Sequence, residues 1–282
     1  MSPSAARTLK LPSGEAIPVL GQGTWFMGDD RRRRNDEIAA LRLGIDLGMG
    51  LIDTAEMYGG GASEDLVGEA IAGRRDAVFL VSKVLPSNAT REGVIAACER
   101  SLRRLGTDRL DLYLLHWRGG TPLAETLEGF AALTEAGKIR HWGVSNFDLS
   151  DMEELVGLPG GSAVQTNQVL YNLTRRGIEW DLLPWSRERG LPIMAYSPIE
   201  QGRLLGNSGL QSVAGRHGAT AAQMALAWLL RHDGVFAIPK AGTPRHVEQN
   251  RAALDLRLTE ADLDALDQVF PPPTGKQPLA IL

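Results

Sequence analysis

Short apolar blocks alternate with longer segments of helical period along nearly the whole chain. The blocks fall at residues 19–20, 51–54, 78–84, 110–116, 139–145, 163–169, 193–197 and 235–239. Several are continuously apolar rather than alternating, as expected of strands covered on both faces by helices in a parallel sheet. Between them, residues 37–47, 63–72, 91–105, 123–135, 221–230 and 244–254 read as helices. Ser150 with Glu153, and Thr220 with Gln223, have the spacing of a capping box, in which two side chains satisfy free N–H groups at a helix start. Gly48, Gly73, Gly106 and Gly137 sit where left-handed residues end helices. Eight strand–helix units predict an α/β fold, a (β/α)8 TIM barrel, with an open doubly wound sheet as the alternative. Residues 8–20, centred on Ser13-Gly14, predict a β-hairpin ahead of the barrel, and residues 259–270 an extra C-terminal helix.

Composition adds limits rather than detail. No Pro/Ser/Gly-rich linker splits the 282 residues, so one barrel domain over 1–282 is expected. A net charge of -4 offers no basic field to a polyanion, so nucleic acid is not an expected partner. The single cysteine, Cys98, excludes an internal disulfide framework and a Cys-rich metal site. No apolar run approaches the ~20 residues of a membrane span. Residues 1–10 lack the apolar middle of a signal peptide. A cytoplasmic monomer without metal or membrane contact is the expectation.

Barrel enzymes carry their sites at the C-terminal ends of the strands. Polar residues gather at those ends: Asp53-Thr54, Ser82-Lys83, His116, Ser145-Asn146, Gln165 to Gln168, Tyr196-Ser197 and Lys240. Asp53, Lys83 and His116 recur at nearly one phase, and charged groups closing apolar strands are costly to bury unpaired. With Tyr58 they form a chemically coherent set. A phenol is a poor proton donor at neutral pH unless its anion is stabilised, which a neighbouring Lys⁺ can do while an Asp⁻ holds that cation in place. A neutral His can polarise a carbonyl through one hydrogen bond. The set describes proton donation to a carbonyl oxygen, with hydride supplied by a cofactor because no side chain can supply it.

The stretch from Asp53 to Gly59, with Lys83 in Val81-Ser82-Lys83 and His116 in Leu114-Leu115-His116-Trp117, resembles the aldo-keto reductase superfamily. Gly143-Val144-Ser145-Asn146-Phe147, Gln165 to Gln168, Ala195-Tyr196-Ser197-Pro198 and Ile238-Pro239-Lys240 extend the resemblance in order, from about Leu9 to Phe270. The resemblance implies an NADP(H)-dependent reductase of aldehydes and ketones. Tyr58 is then the general acid, Lys83 lowers its pKa, Asp53 pairs with Lys83, and His116 orients the carbonyl. Ser145, Asn146 and Gln168 would hold the nicotinamide carboxamide, and Tyr196 would stack on the ring. Gly23, Thr24 and Trp25 would meet cofactor and substrate on the first barrel loop, and Ser197, Ile199 and Gln201 would lie over the pyrophosphate. Trp25, Tyr58, His116 and Trp117 would line the substrate pocket.

The last motif departs from that of NADP-preferring members. Lys240 is present, but Ala241 replaces a Ser, His246 occupies an Arg position, and Gln249-Asn250 replace Glu-Asn. Arg245 lies one place early, Thr243 falls within the same segment, and NADP(H) stays favoured while NAD(H) is compatible. The short link from His116-Trp117 to Pro122 and the short tail after Pro271-Pro272-Pro273 imply an open pocket for a small carbonyl compound. The Leu-Leu-His-Trp-Arg-Gly stretch is similar to bacterial members acting on methylglyoxal and other small aldehydes. A non-catalytic NADP(H)-binding sensor or scaffold on the same barrel is the alternative.

Other signals point elsewhere. The run Arg31 to Arg34 is flanked by Asp29, Asp30, Asp36 and Glu37 and reads as a solvated loop or helix start. Asp53 and Glu56 come from one loop, unlike a glycosidase pair that must flank its bond. His141, His217, His232 and Cys98 read as structural.

Overall fold

Among the described residues, 7–282 of the computed structural model, eight short parallel strands form one sheet in chain order. The sequence reading of residues 1–10 lies mostly outside that range. A hairpin comes first, β1 (Thr8–Lys10) paired antiparallel with β2 (Ala16–Pro18), and its turn carries Gly14 at φ +88. The parallel strands are β3 (Gln22–Gly23), β4 (Leu51–Asp53), β5 (Phe79–Val84), β6 (Leu110–Leu115), β7 (Ile139–Ser145), β8 (Asn167–Leu170), β9 (Ile193–Tyr196) and β10 (Val235–Ala237). The strands β5 and β6 are buried at every position, the burial that their continuous apolar runs predict.

The two edges of this sheet meet, so the barrel closes. Ala237 N–H donates to the Val19 carbonyl at 2.9 Å, Gly21 N–H to Ala237 at 2.8 Å, and Gly23 N–H to Pro239 at 3.1 Å. A Cβ at Gly23 would stand 2.5 Å from the Ile238 carbonyl oxygen, so this seam admits only glycine. The first barrel strand is thus shifted from the 19–20 expected: Leu20 joins Ala237 by a single bridge, and the paired ladder follows it.

Ten α-helices surround the sheet among the described residues: α1 (Arg34–Asp46), α2 (Ala62–Ile71), α3 (Arg91–Leu105), α4 (Leu123–Glu135), α5 (Leu149–Gly157), α6 (Leu182–Glu188), α7 (Ser208–Arg216), α8 (Ala221–Leu230), α9 (Pro244–Ala252) and α10 (Glu260–Val269). Gly48, Gly73, Gly106 and Gly137 all take the positive φ their positions predict. Thr220 and Gln223 form the capping box of α8. The other expected box is corrected: α5 begins earlier, capped reciprocally by Asp148 and Asp151, because the Asp148 carboxylate takes the Asp151 N–H at 2.9 Å while Ser150 donates to it from outside. Two helices escaped the sequence pattern. In α6, Pro184 sits in the first turn and masks the run, and α7 lies between Gly206 and Gly218.

The hairpin packs under the barrel. Ser13 N–H donates to the Gln165 side chain at 2.8 Å, and Glu15 accepts from His141 at 2.7 Å. Gln165 therefore belongs to the N-terminal end of β8, opposite the functional face, because the ladder starts at Asn167 rather than 163. Among the described residues, no helix is long and apolar enough to cross a membrane.

Candidate active site

At the C-terminal ends of β4, β5 and β6 the chain delivers Asp53, Lys83 and His116 to one place. Tyr58 joins them from the tight turn Tyr58–Gly61 that follows β4, where Gly59 and Gly60 take positive φ. The Lys83 ammonium is fully buried and donates three hydrogen bonds: to Asp53 Oδ2 at 2.8 Å, to the Thr54 carbonyl at 2.8 Å and to the Tyr58 hydroxyl at 3.1 Å. The second Asp53 oxygen accepts from Gln168 Nε2 at 2.8 Å. All three Lys83 N–H groups and both Asp53 oxygens are met, which is what makes a buried ion pair tolerable. Burial alone would discharge Lys83, but the Asp53 carboxylate and the Tyr58 oxygen hold it above its usual pKa as a cation.

Burial also raises the Tyr58 phenol above its ordinary value, and the Lys83 charge pulls it back down. The expected influence of Lys83 is thus present, but it opposes a larger desolvation, so the hydroxyl stays protonated well past neutrality. Beside it the His116 ring lies edge-on, with centroids 5.8 Å apart. Burial, with Lys83 nearby, lowers His116 to about 2, so the imidazole is neutral. Its buried Nδ1 has no hydrogen-bond partner. The tautomer protonated on Nε2 avoids burying an unmet N–H and leaves a donor for a ligand.

A second polar group adjoins the first. Ser145 Oγ donates to the Gln168 carbonyl at 2.9 Å, Asn146 Nδ2 to Ser145 Oγ at 3.2 Å, and the Tyr196 hydroxyl to Asn146 Oδ1 at 2.9 Å. Asn146 holds φ 58, Ser197 φ 46 and Gln201 φ 55, left-handed geometry that non-glycine residues keep only where surroundings enforce it.

These residues line a continuous groove. A cavity of about 500 Å³ at the catalytic end contains Trp25, Tyr58, His116 and Trp117, with Ser145, Asn146, Gln168 and Tyr196 on its floor and walls. It shares Trp25, Tyr58 and Tyr196 with a second cavity of about 400 Å³, which adds Gly23, Thr24, Ser197, Ile199, Gln201 and Lys240. The second shares Ile199 and Lys240 with a third, of about 500 Å³, walled by His246, Gln249 and Asn250. An elongated ligand with a planar polar head, an anionic middle and a second ring fits this succession, as a nicotinamide dinucleotide requires. Ala241 is buried, Thr243 caps α9 and Arg245 is exposed; none of the three lines the groove.

Sequence reasoning missed several wall residues. Arg118 lines the catalytic cavity, paired to Glu154 at 2.9 Å. The tail was expected to leave the mouth open, yet Ile281 and Leu282 stand in its wall and Leu282 N–H reaches the Tyr196 hydroxyl at 3.4 Å. No local pattern marks such residues, because only the return of the chain brings them there.

Fold and site together define a barrel oxidoreductase, and the chain belongs to the aldo/keto reductase family, whose model matches residues 19–270. It is 55% identical to a methylglyoxal reductase of Escherichia coli K12 over 269 residues, 94% of this chain and 95% of that one. It is 34% identical to a glyoxal reductase of Bacillus subtilis, covering 95% of this chain and 94% of the relative. Among solved structures, an aldo/keto reductase from Klebsiella pneumoniae in complex with NADP and acetate superposes with a TM-score of 0.96 at 50% identity, covering 99% and 100% of the two chains.

Proposed function

We propose that this protein reduces small aldehydes, methylglyoxal among them, to alcohols with NADPH. The observation that carries the reading is the Lys83 ammonium bonded at once to Asp53 and Tyr58, beside a neutral His116, at the head of a groove shaped for a dinucleotide. Similarity to the methylglyoxal and glyoxal reductases, and to the NADP-bound Klebsiella structure, supports the same substrate and cofactor.

Each residue has a part. Ser145, Asn146 and Gln168 would hold the carboxamide of the nicotinamide, and Tyr196 would pack on its ring. Bound there, the reduced nicotinamide supplies the hydride. His116 orients the substrate carbonyl through its N–H, Tyr58 gives its proton to the carbonyl oxygen, and Lys83, kept charged by Asp53, stabilises the phenolate left behind. Ile199 and Gln201 line the middle of the groove, and Lys240, Gln249 and Asn250 its far end, which would hold the adenosine moiety. Trp25 and Trp117 enclose the substrate.

We also propose that the chain acts as a single-domain monomer in the cytoplasm. One chain supplies every residue of the groove, and its lone thiol, Cys98, is buried and pushed up to about 12, inert to exchange. Light scattering should give one chain's mass, and a dimer would contradict this. Steady-state kinetics with NADPH and NADH over a panel of small and aromatic aldehydes tests the function. Turnover of methylglyoxal with NADPH is expected; nucleotide binding without turnover across the panel would leave a binding module instead.

A further inference from the structure

We propose that Arg33, at the start of α1, is a second cation of the site that takes the 2′-phosphate, acting beside Lys240 and setting the preference for NADP(H) over NAD(H). This rests on the cofactor reading above and goes beyond it, since Arg33 comes from a segment that the family resemblance leaves without a role.

Lys240 stands where the second and third cavities meet. Its ammonium is half-buried and makes no hydrogen bond or ion pair among the described residues. Arg33 lines neither cavity, but its guanidinium comes up beside Lys240 across Gly242. Around the point where a Gly242 Cβ would stand, Arg33 Nη2 lies at 2.8 Å, Lys240 Nζ at 3.2 Å and Glu37 Oε1 at 3.7 Å. The bare backbone of Gly242 is what lets the two cations converge.

Like charges at such separations repel unless an anion stands between them. Of the two carboxylates that act on Lys240, Glu37 and Asp29, Glu37 is 3.6 Å from Arg33 and gives its other oxygen to the Gly28 N–H at 3.0 Å. It positions Arg33 without neutralising both cations. Burial first, and Arg33 next, push the Lys240 ammonium below its usual pKa, with Glu37 and Asp29 opposing. A phosphate dianion relieves this arrangement: the guanidinium fork can bind two of its oxygens and the ammonium acts as a point charge.

The neighbouring arginines behave differently. Arg32 is tied to Asp30 at 3.0 Å and Arg34 to Glu69 at 2.8 Å. Only Arg33 of these three turns toward Lys240. The sequence departs from the NADP-preferring pattern at His246, and the structure brings a guanidinium beside Lys240 from the start of α1 instead.

Direct binding tests this, by calorimetry on wild type, Arg33→Met and Arg33→Lys with NADPH, NADH, 2′,5′-ADP and 5′-AMP. Arg33→Met should weaken NADPH and 2′,5′-ADP by about tenfold and leave NADH and 5′-AMP within about twofold, with Arg33→Lys between. Equal weakening of phosphorylated and unphosphorylated nucleotides, or unchanged NADPH affinity in Arg33→Met, would overturn the assignment while the cofactor reading stood. Wild-type protein that bound none of the four would bring down the cofactor reading itself.

Discussion

Tyr58 and His116 lie side by side in the catalytic cavity, their rings edge-on. Burial keeps both uncharged, the phenol as an acid and the imidazole as a neutral donor. With Tyr58 as the proposed proton donor it must be protonated, and burial raises its pKa above 10.0, so the rate of reduction should stay level through neutral pH and fall only in alkali. His116 is lowered from 6.5 to about 2, so its ring should show no NMR titration between about pH 5 and 8. A depressed histidine also sets the sign of a stability effect. Between 6.5 and about 2 the unfolded chain takes up a proton that the folded site refuses, so stability is lost as the pH is lowered, by up to about 1.4 kcal/mol per pH unit from this residue. Denaturant titrations of wild type and His116→Gln should differ by that slope, and parallel slopes would contradict the buried neutral ring. Asp53, Lys83 and His116 were legible in the sequence because each closes an apolar strand with a group that is expensive to bury. Arg118, Ile281 and Leu282 were not, since nothing around them in the chain is anomalous.

At the scale of elements, the strands and helices that read clearly were those whose local signals agree with their burial. Residues 91–105, 123–135 and 221–230 form helices with the boundaries the sequence predicts. The helix α8 is capped on both sides of its first turn, so Thr220→Ala should cost about 1 kcal/mol, read as a lowered Tm. The β3–β10 seam is less forgiving. Gly23→Ala places a Cβ against the Ile238 carbonyl, so the variant should destabilise strongly and weaken nucleotide binding together, because the same seam carries Lys240 into the groove. A Gly23→Ala protein of unchanged Tm would contradict the closure described. Where the sequence misled, two signals competed: Ser150 has a capping spacing, but Asp148 is the stronger acceptor and starts α5 earlier.

For the whole molecule, eight repeats of strand and helix made the barrel legible, while the path of the tail was decided by tertiary packing. The residues after α10 return across the functional face to wall the mouth near Trp117 and Tyr196. The pocket is therefore bounded where its short loops suggested openness. Replacing Ile281 with Ala should raise kcat/KM for bulky aromatic aldehydes severalfold relative to methylglyoxal, and unchanged ratios would show that the tail does not select. Closure brings Asp53 of β4, Lys83 of β5, Gln168 of β8 and Tyr196 of β9 around one axis, which is why residues far apart in the chain act as one site. In the proposed mechanism this site passes a proton from Tyr58 to a carbonyl. The most direct measurement is methylglyoxal reduction by Tyr58→Phe, followed by NADPH absorbance, with NADPH affinity measured in parallel. A fall in kcat of about 10²–10⁴ with affinity retained is expected; a near-native rate would rule out Tyr58 as the proton donor.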